Sequence, residues 1–157
     1  MGESMTHRIA YLKPDRTIYK ETEVPIDRTM AEIKTMLVKN GCSRIGIQDD
    51  MRGKFPLYTL IFEKDSMPYM IEFPVVYERR ASGDRLNMNL SGRIIRDRIK
   101  ALLMEVEIGM SPFPAAMAQF VAIADRSTGQ PTQMENYIAE HPKEIPSGML
   151  FLPGGRS

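Results

Sequence analysis

The stretch from Leu90 to Ile108 keeps an apolar period close to 3.6 residues, which commits it to an amphipathic helix. Turned through about 100° per residue, Ile95, Ile99, Leu102, Leu103 and Val106 gather on one side, with Arg93, Arg96 and Lys100 roughly opposite. Such a helix has to bury its seam against other elements. It then offers solvent, or a partner, three cations within two turns. The rest of the fold must be built around it.

At 157 residues, the chain is long enough to bury a core without disulfides or metals and is expected to form one domain, 1–157. Within it, 24–109 reads as a core and 110–157 as a helical extension with a tail. The net charge of +1 gives no bulk attraction to nucleic acid or membrane, but the charge is unevenly spread. Residues 79–108 hold seven Lys or Arg against four Asp or Glu, whereas 1–78 hold eleven against twelve. Cys42 is the single cysteine, which predicts a reducing, cytoplasmic setting. The longest apolar candidate, Phe113 to Ala124, is too short to span a bilayer, so no membrane partner is expected.

Local signals place the other elements. Arg8–Leu12 and Thr17–Glu23 read as strands joined by the Pro14-Asp15 turn. Thr29 and Glu32 fit a capping box that starts a helix running to about Lys39, with Met30, Ile33 and Leu37 inward and Asn40-Gly41 as its stop. Strands are expected at Cys42–Ile47, Leu57–Glu63 and Tyr69–Val76. The middle one is apolar on both faces and therefore central. Arg79–Asn89 reads as a polar connection to the long helix, which Gly109 ends. Ser111-Pro112 opens a short helix, Gln119–Ala124 is either its end or a strand, and Thr132–Glu140 is helical. The predicted fold is α+β: β-β-α-β-β-β-α, an antiparallel sheet packed by helices, then short helices and an apolar tail.

Several of these segments, in this order, resemble an uncharacterised family of small proteins encoded by tailed phages and prophage-like regions. The resemblance is carried by Val24-Pro25-Ile26-Asp27-Arg28-Thr29-Met30-Ala31-Glu32-Ile33 leading to Asn40-Gly41, and by Lys100-Ala101-Leu102 with Glu105, Glu107 and Ile108-Gly109. Phe113, Phe120, the Asp125–Gly129 turn, Tyr137 and Ile145-Pro146-Ser147-Gly148-Met149-Leu150-Phe151-Leu152-Pro153 complete it. The chain departs from the pattern in having no Trp and in its Asp125-Arg126-Ser127-Thr128-Gly129 turn. The resemblance implies a phage or mobile-element context and brings no catalytic residues. The element order is also similar, at the level of fold, to the double-stranded-RNA-binding domain and to the core of single-strand-annealing recombinases. The lysine-rich start of the second helix that marks the former is missing.

Two candidate surfaces follow. Arg93, Arg96 and Lys100, with Arg79, Arg80 and Arg85 upstream, offer contacts to phosphates of DNA or RNA. Asp97 lies at intrahelical ion-pair spacing from Arg93 and Lys100, so a self-paired helix face is the competing reading. Tyr58, Tyr69 and Tyr77 are the available stacking aromatics. The second surface is the apolar run Met149, Leu150, Phe151 and Leu152, which either caps the domain's own core or docks on another copy or on a phage or host protein. No catalytic or cofactor motif appears. Asp15 with Glu32 and Lys34 imitates a nuclease set, but Glu32 belongs to the predicted capping box. Asp49-Asp50 reads as turn chemistry, and Cys42 as a small buried thiol. The expectation is a non-enzymatic nucleic-acid-binding protein of phage type, active in replication or recombination and needing no cofactor or metal. Its rival is a structural or protein-interaction module.

Overall fold

The long helix finds its partners in a three-stranded meander and a second helix lying alongside it in the same direction. The structure, a computed structural model, describes residues 9–12, 24–51, 56–124, 129 and 131–140. The predicted strand Thr17–Glu23, the Asp125–Thr128 part of the turn and the tail run Met149–Leu152 lie outside the described residues. Along the chain come β1 (Ile9–Leu12), α1 (Ile26–Lys39), β2 (Ser43–Asp50), β3 (Leu57–Lys64), β4 (Met67–Glu72), β5 (Val75–Arg80) and β6 (Gly83–Leu86). They are followed by α2 (Met88–Glu107), α3 (Phe113–Ala116), a 3-10 turn at Ala118–Phe120, β7 (Ala122–Ala124), β8 (Pro131–Gln133) and α4 (Met134–Glu140).

Strands β2, β3 and β4 form an antiparallel sheet in that order, with β3 central as its two apolar faces require. The register puts Leu60 opposite Ile71 and Phe62 opposite Tyr69, so these four share one face. Onto that face fold Ile33 and Leu37 of α1 and Ile95, Ile99 and Leu103 of α2, making one buried cluster with Phe113, Met117 and Phe120. Phe62 and Tyr69 stack at 5.2 Å, and Phe113 meets Tyr69 edge-on at 5.6 Å. The predicted α+β domain, antiparallel sheet under helices, is therefore the observed one.

The two helices run parallel. Asn89 Oδ1 accepts from the Ile26 backbone N–H at 2.9 Å, and contacts then advance in step along both helices, from Thr29 with Arg93 to Glu32 with Arg96. Gly92 lies in the contact between them. A Cβ there would collide with Ile26 Cδ1 and stand 3.4 Å from Thr29 Cγ2. Both helices end in the same way: Gly41 (φ +84°) and Gly109 (φ +81°) take left-handed backbone. Cys42 N–H then bonds Leu37 O, and Met110 N–H bonds Glu105 O, satisfying carbonyls that the helices leave open.

The expected capping box is corrected. Helix α1 begins three residues before Thr29, with Pro25 at its N-cap and Asn89 supplying the acceptor from across the fold. Thr29 is consequently in the helix interior and fully buried, and Glu32 is released for other contacts. Two further expectations change. The strand expected over Tyr69–Val76 breaks at Phe73-Pro74, where proline cannot donate to a ladder. The supposed polar connection at 79–89 is a hairpin, β5 with β6, turning at Ala81-Ser82. Strand β5 also pairs in parallel with β1, from Ile9 opposite Val75 to Leu12 opposite Glu78. Asp49 and Asp50, expected in a turn, extend β2 opposite Tyr58 and Leu57. Thr132 and Gln133 belong to β8 rather than to a helix, and of the open alternatives for 119–124 the structure takes a 3-10 turn followed by β7.

The C-terminal elements seal the sheet edge at β4. Val121 bridges to Tyr69, and the Gln133 side-chain carbonyl accepts from Glu72 N–H at 2.7 Å, in the position a neighbouring strand would fill. No helix among the described residues is long and apolar enough to cross a membrane.

Candidate interaction surfaces

The arginines of α2 divide between two anchoring sites. Arg93 and Arg96 do not face open solvent: they turn into the groove against α1 and meet at Glu32. Arg93 Nη1 lies 3.2 Å and Arg96 Nε 3.0 Å from Glu32 Oε2, while Arg28 approaches Oε1 at 3.9 Å. Arg96 Nη1 also donates to Asp97 at 2.9 Å. Partial burial alone would raise the Glu32 carboxyl, but Arg93 and Arg96 together hold it below the usual carboxylate range. This cluster clamps the parallel helices just beyond the Gly92 contact. A phosphate approaching Arg93 or Arg96 has to compete with Glu32. Lys100, one turn further along, is exposed.

Arg98, absent from the expected basic face, is held by several polar partners. Its guanidinium lies 4.7 Å over the Phe120 ring, donates to Gln119 Oε1 at 3.1 Å and forms a two-point pair with Glu135 at 2.7 and 3.2 Å. Gln133 Nε2 reaches the same Glu135 at 2.6 Å, and Asn136 Nδ2 reaches Glu72 at 2.9 Å. These bonds tie α4 and β8 to the sheet and to α2. The partners lie 21 and 37 residues away along the chain, so no local pattern could announce them.

The other predicted cations sit at the hairpin. Arg79 and Arg80 lie on β5 and Arg85 on β6. The register sets Arg79 opposite Asp84, Arg85 opposite Glu78, and Arg80 opposite Gly83. Arg85 is exposed. Of the three tyrosines considered for stacking, Tyr69 and Tyr77 are buried in the fold and only Tyr58 retains partial access. The Cys42 thiol is buried as expected, and burial pushes it up to about 11. No group of three or more His, Cys, Asp or Glu among the described residues is placed to hold a metal.

Sequence reasoning overlooked the end of the molecule where both helices stop. Because α1 and α2 are parallel, their C-termini emerge together. Lys64, at the β3–β4 turn, joins them by donating to Asn40 O at 2.8 Å and standing 5.2 Å over the Phe113 ring. Here lie Val38, Met67, Met104, Ile108 and Met110, five of the eight exposed large apolar side chains among the described residues. Met104, Ile108 and Met110 retain 52%, 67% and 70% of their surface. Of the other three, Ile47 and Met51 are on or beside β2, and Ile138 is on α4. The hairpin arginines are at the opposite end, beside the α2 N-terminus, where Asn87 N–H bonds Val76 O and Ser91 Oγ bonds Pro74 O. An available signal was the exposed i, i+4 spacing of Met104 and Ile108, off the core seam.

Compared with known protein families, curated proteins and solved structures, the chain matches none.

Proposed function

We propose that this chain is a non-enzymatic interaction protein that assembles through the apolar end formed by the C-termini of α1 and α2. Its resemblance to phage-encoded small proteins suggests the setting. The observation that carries the reading is that five of the eight exposed large apolar side chains among the described residues, Val38, Met67, Met104, Ile108 and Met110, belong to segments at this end. Exposed apolar side chains are ordinary when scattered, whereas several concentrated around one helix end favour contact with another apolar surface. Methionine suits such a contact, since its unbranched thioether adapts to the shape it meets. A photo-crosslinking residue at Met104, with one at exposed Lys34 as control, tests this in producing cells. Adducts confined to position 104 support the reading. Equal labelling at both positions, or none at either, rejects it.

Nucleic-acid binding in replication or recombination is the second reading, and exposed Lys100 and Arg85 favour it. Phosphate contacts at these positions would make affinity fall steeply with salt. Fluorescence anisotropy with DNA and RNA, comparing the native chain with Arg85→Ala and Lys100→Ala, checks it. Unchanged affinity in both variants would reject these contacts.

A further inference from the structure

We infer that the partner at this end is a second copy of the same chain, docked antiparallel along the exposed face of the last two turns of α2. The inference rests on the preceding reading and names its partner. Ala101 and Met104 on this exposed face, and Ile108 at the C-cap that continues it, are spaced three and four residues apart, the repeat that lets one helix seat against another. Lys100 and Glu107, both exposed, flank that seam at equivalent positions one heptad apart. Neither matches the three- or four-residue spacing at which the two would pair within their own helix.

A two-fold axis near Met104 makes this arrangement self-complementary. It sets Met104 against its counterpart and small Ala101 against the larger Ile108 of the other copy. It also brings Lys100 of each copy to Glu107 of the other, so the charge pair forms twice. Parallel or offset docking brings like charges together or leaves both pairs unmade. Val38 and Met110, also exposed, belong to the segments where the two helices end. An interface of this kind is isologous and closes on itself, so it gives a dimer and not a chain of copies. The charges select the register, and the apolar seam supplies the attraction.

Multi-angle light scattering on the full chain, at about 100 μM and about 1 μM so as to span a modest interface, tests the inference. The native chain is expected to be dimeric at the higher concentration. Met104→Glu should abolish the dimer while circular dichroism stays native and the melting temperature at about 1 μM, where dissociation removes the linkage to assembly, also stays native, because the side chain is exposed. Lys100→Glu and Glu107→Lys should each weaken association by about tenfold, and the double swap should return it to near the native value. A native chain that is monomeric throughout overturns the inference, as does a dimer indifferent to Met104→Glu or a double swap no better than its parents. A monomer in solution together with a position-104 adduct of mass other than twice the chain would reject self-association while leaving the interaction reading intact.

Discussion

Replacing Arg98 by Met removes the guanidinium and keeps an unbranched stem over Phe120, so it isolates what the charge contributes to holding the C-terminal elements. The Arg98 side chain is 39% exposed and Glu135 is 22% exposed, which places the pair between a surface ion pair and a buried one. A charge-assisted bond is worth about 1.5–3 kcal/mol when well shielded, and surface pairs about 0–1 kcal/mol. The two-point geometry and partial cover put this pair at about 1–1.5 kcal/mol. The guanidinium over the ring adds about 0.5–1 kcal/mol. Arg98→Met should therefore cost about 2 kcal/mol, a fall of about 4–8 °C in melting temperature for a chain of this length. Urea unfolding of the native chain, Arg98→Met, Glu135→Gln and the double variant gives the coupling directly, expected at about 1–1.5 kcal/mol. Hydrogen exchange should show the α4 amides losing protection before those of α1 and α2. A single-variant cost under about 0.5 kcal/mol with coupling near zero would refute the anchoring role of Arg98.

Other outcomes follow from the helix groove and the buried thiol. Gly92→Val should lower stability by about 1–3 kcal/mol, because its Cβ has to displace the Ile26 Cδ1 methyl and its branches crowd Thr29 in a buried groove; thermal denaturation measures it. Glu32 has a folded carboxyl held below its ordinary value, so its contribution is present above the unfolded value of 4.5 and is lost as pH falls through the lower folded one. Glu32→Gln should accordingly flatten the stability profile on the acid side, as read from urea midpoints across that range. Cys42 is raised from 9.0 to about 11, so its contribution is complete below pH 9 and disappears as pH rises through about 11. Ellman's reagent at pH 8 should react far more slowly with the native chain than with the urea-unfolded one; equal rates would contradict the burial.

What the sequence made legible was the local physics. The periodicity of α2, the Asn40-Gly41 and Gly109 stops and the two-sided apolar pattern of β3 all survive in the fold, because each depends on residues within a few positions of one another. The missed features depend on distant ones. Thr29 and Glu32 satisfy the capping-box pattern, yet Asn89 captures the Ile26 N–H and starts the helix earlier. Arg93 and Arg96 look like a free basic face until the parallel packing of α1 brings Glu32 between them. The break at Phe73-Pro74 and the Ser82-Gly83 turn signal were both readable and together mark the hairpin. Arg98 offered no such signal, since its partners come from a later part of the chain. The candidate surface moved for a related reason: charges are visible in a sequence, but whether an apolar residue is left over after the core closes is decided only by the assembled fold.

Methionine oxidation read by mass spectrometry reports whether a second copy covers the apolar end, because the molecule carries its own control. Met51 is 65% exposed and follows β2 at the opposite end, while Met104 and Met110 lie in the proposed interface. If the apolar end is covered in the native protein, Met104 and Met110 oxidise more slowly than Met51 at high protein concentration and catch up on dilution. Oxidation of all three at matching rates, at every concentration, would reject self-association through this end.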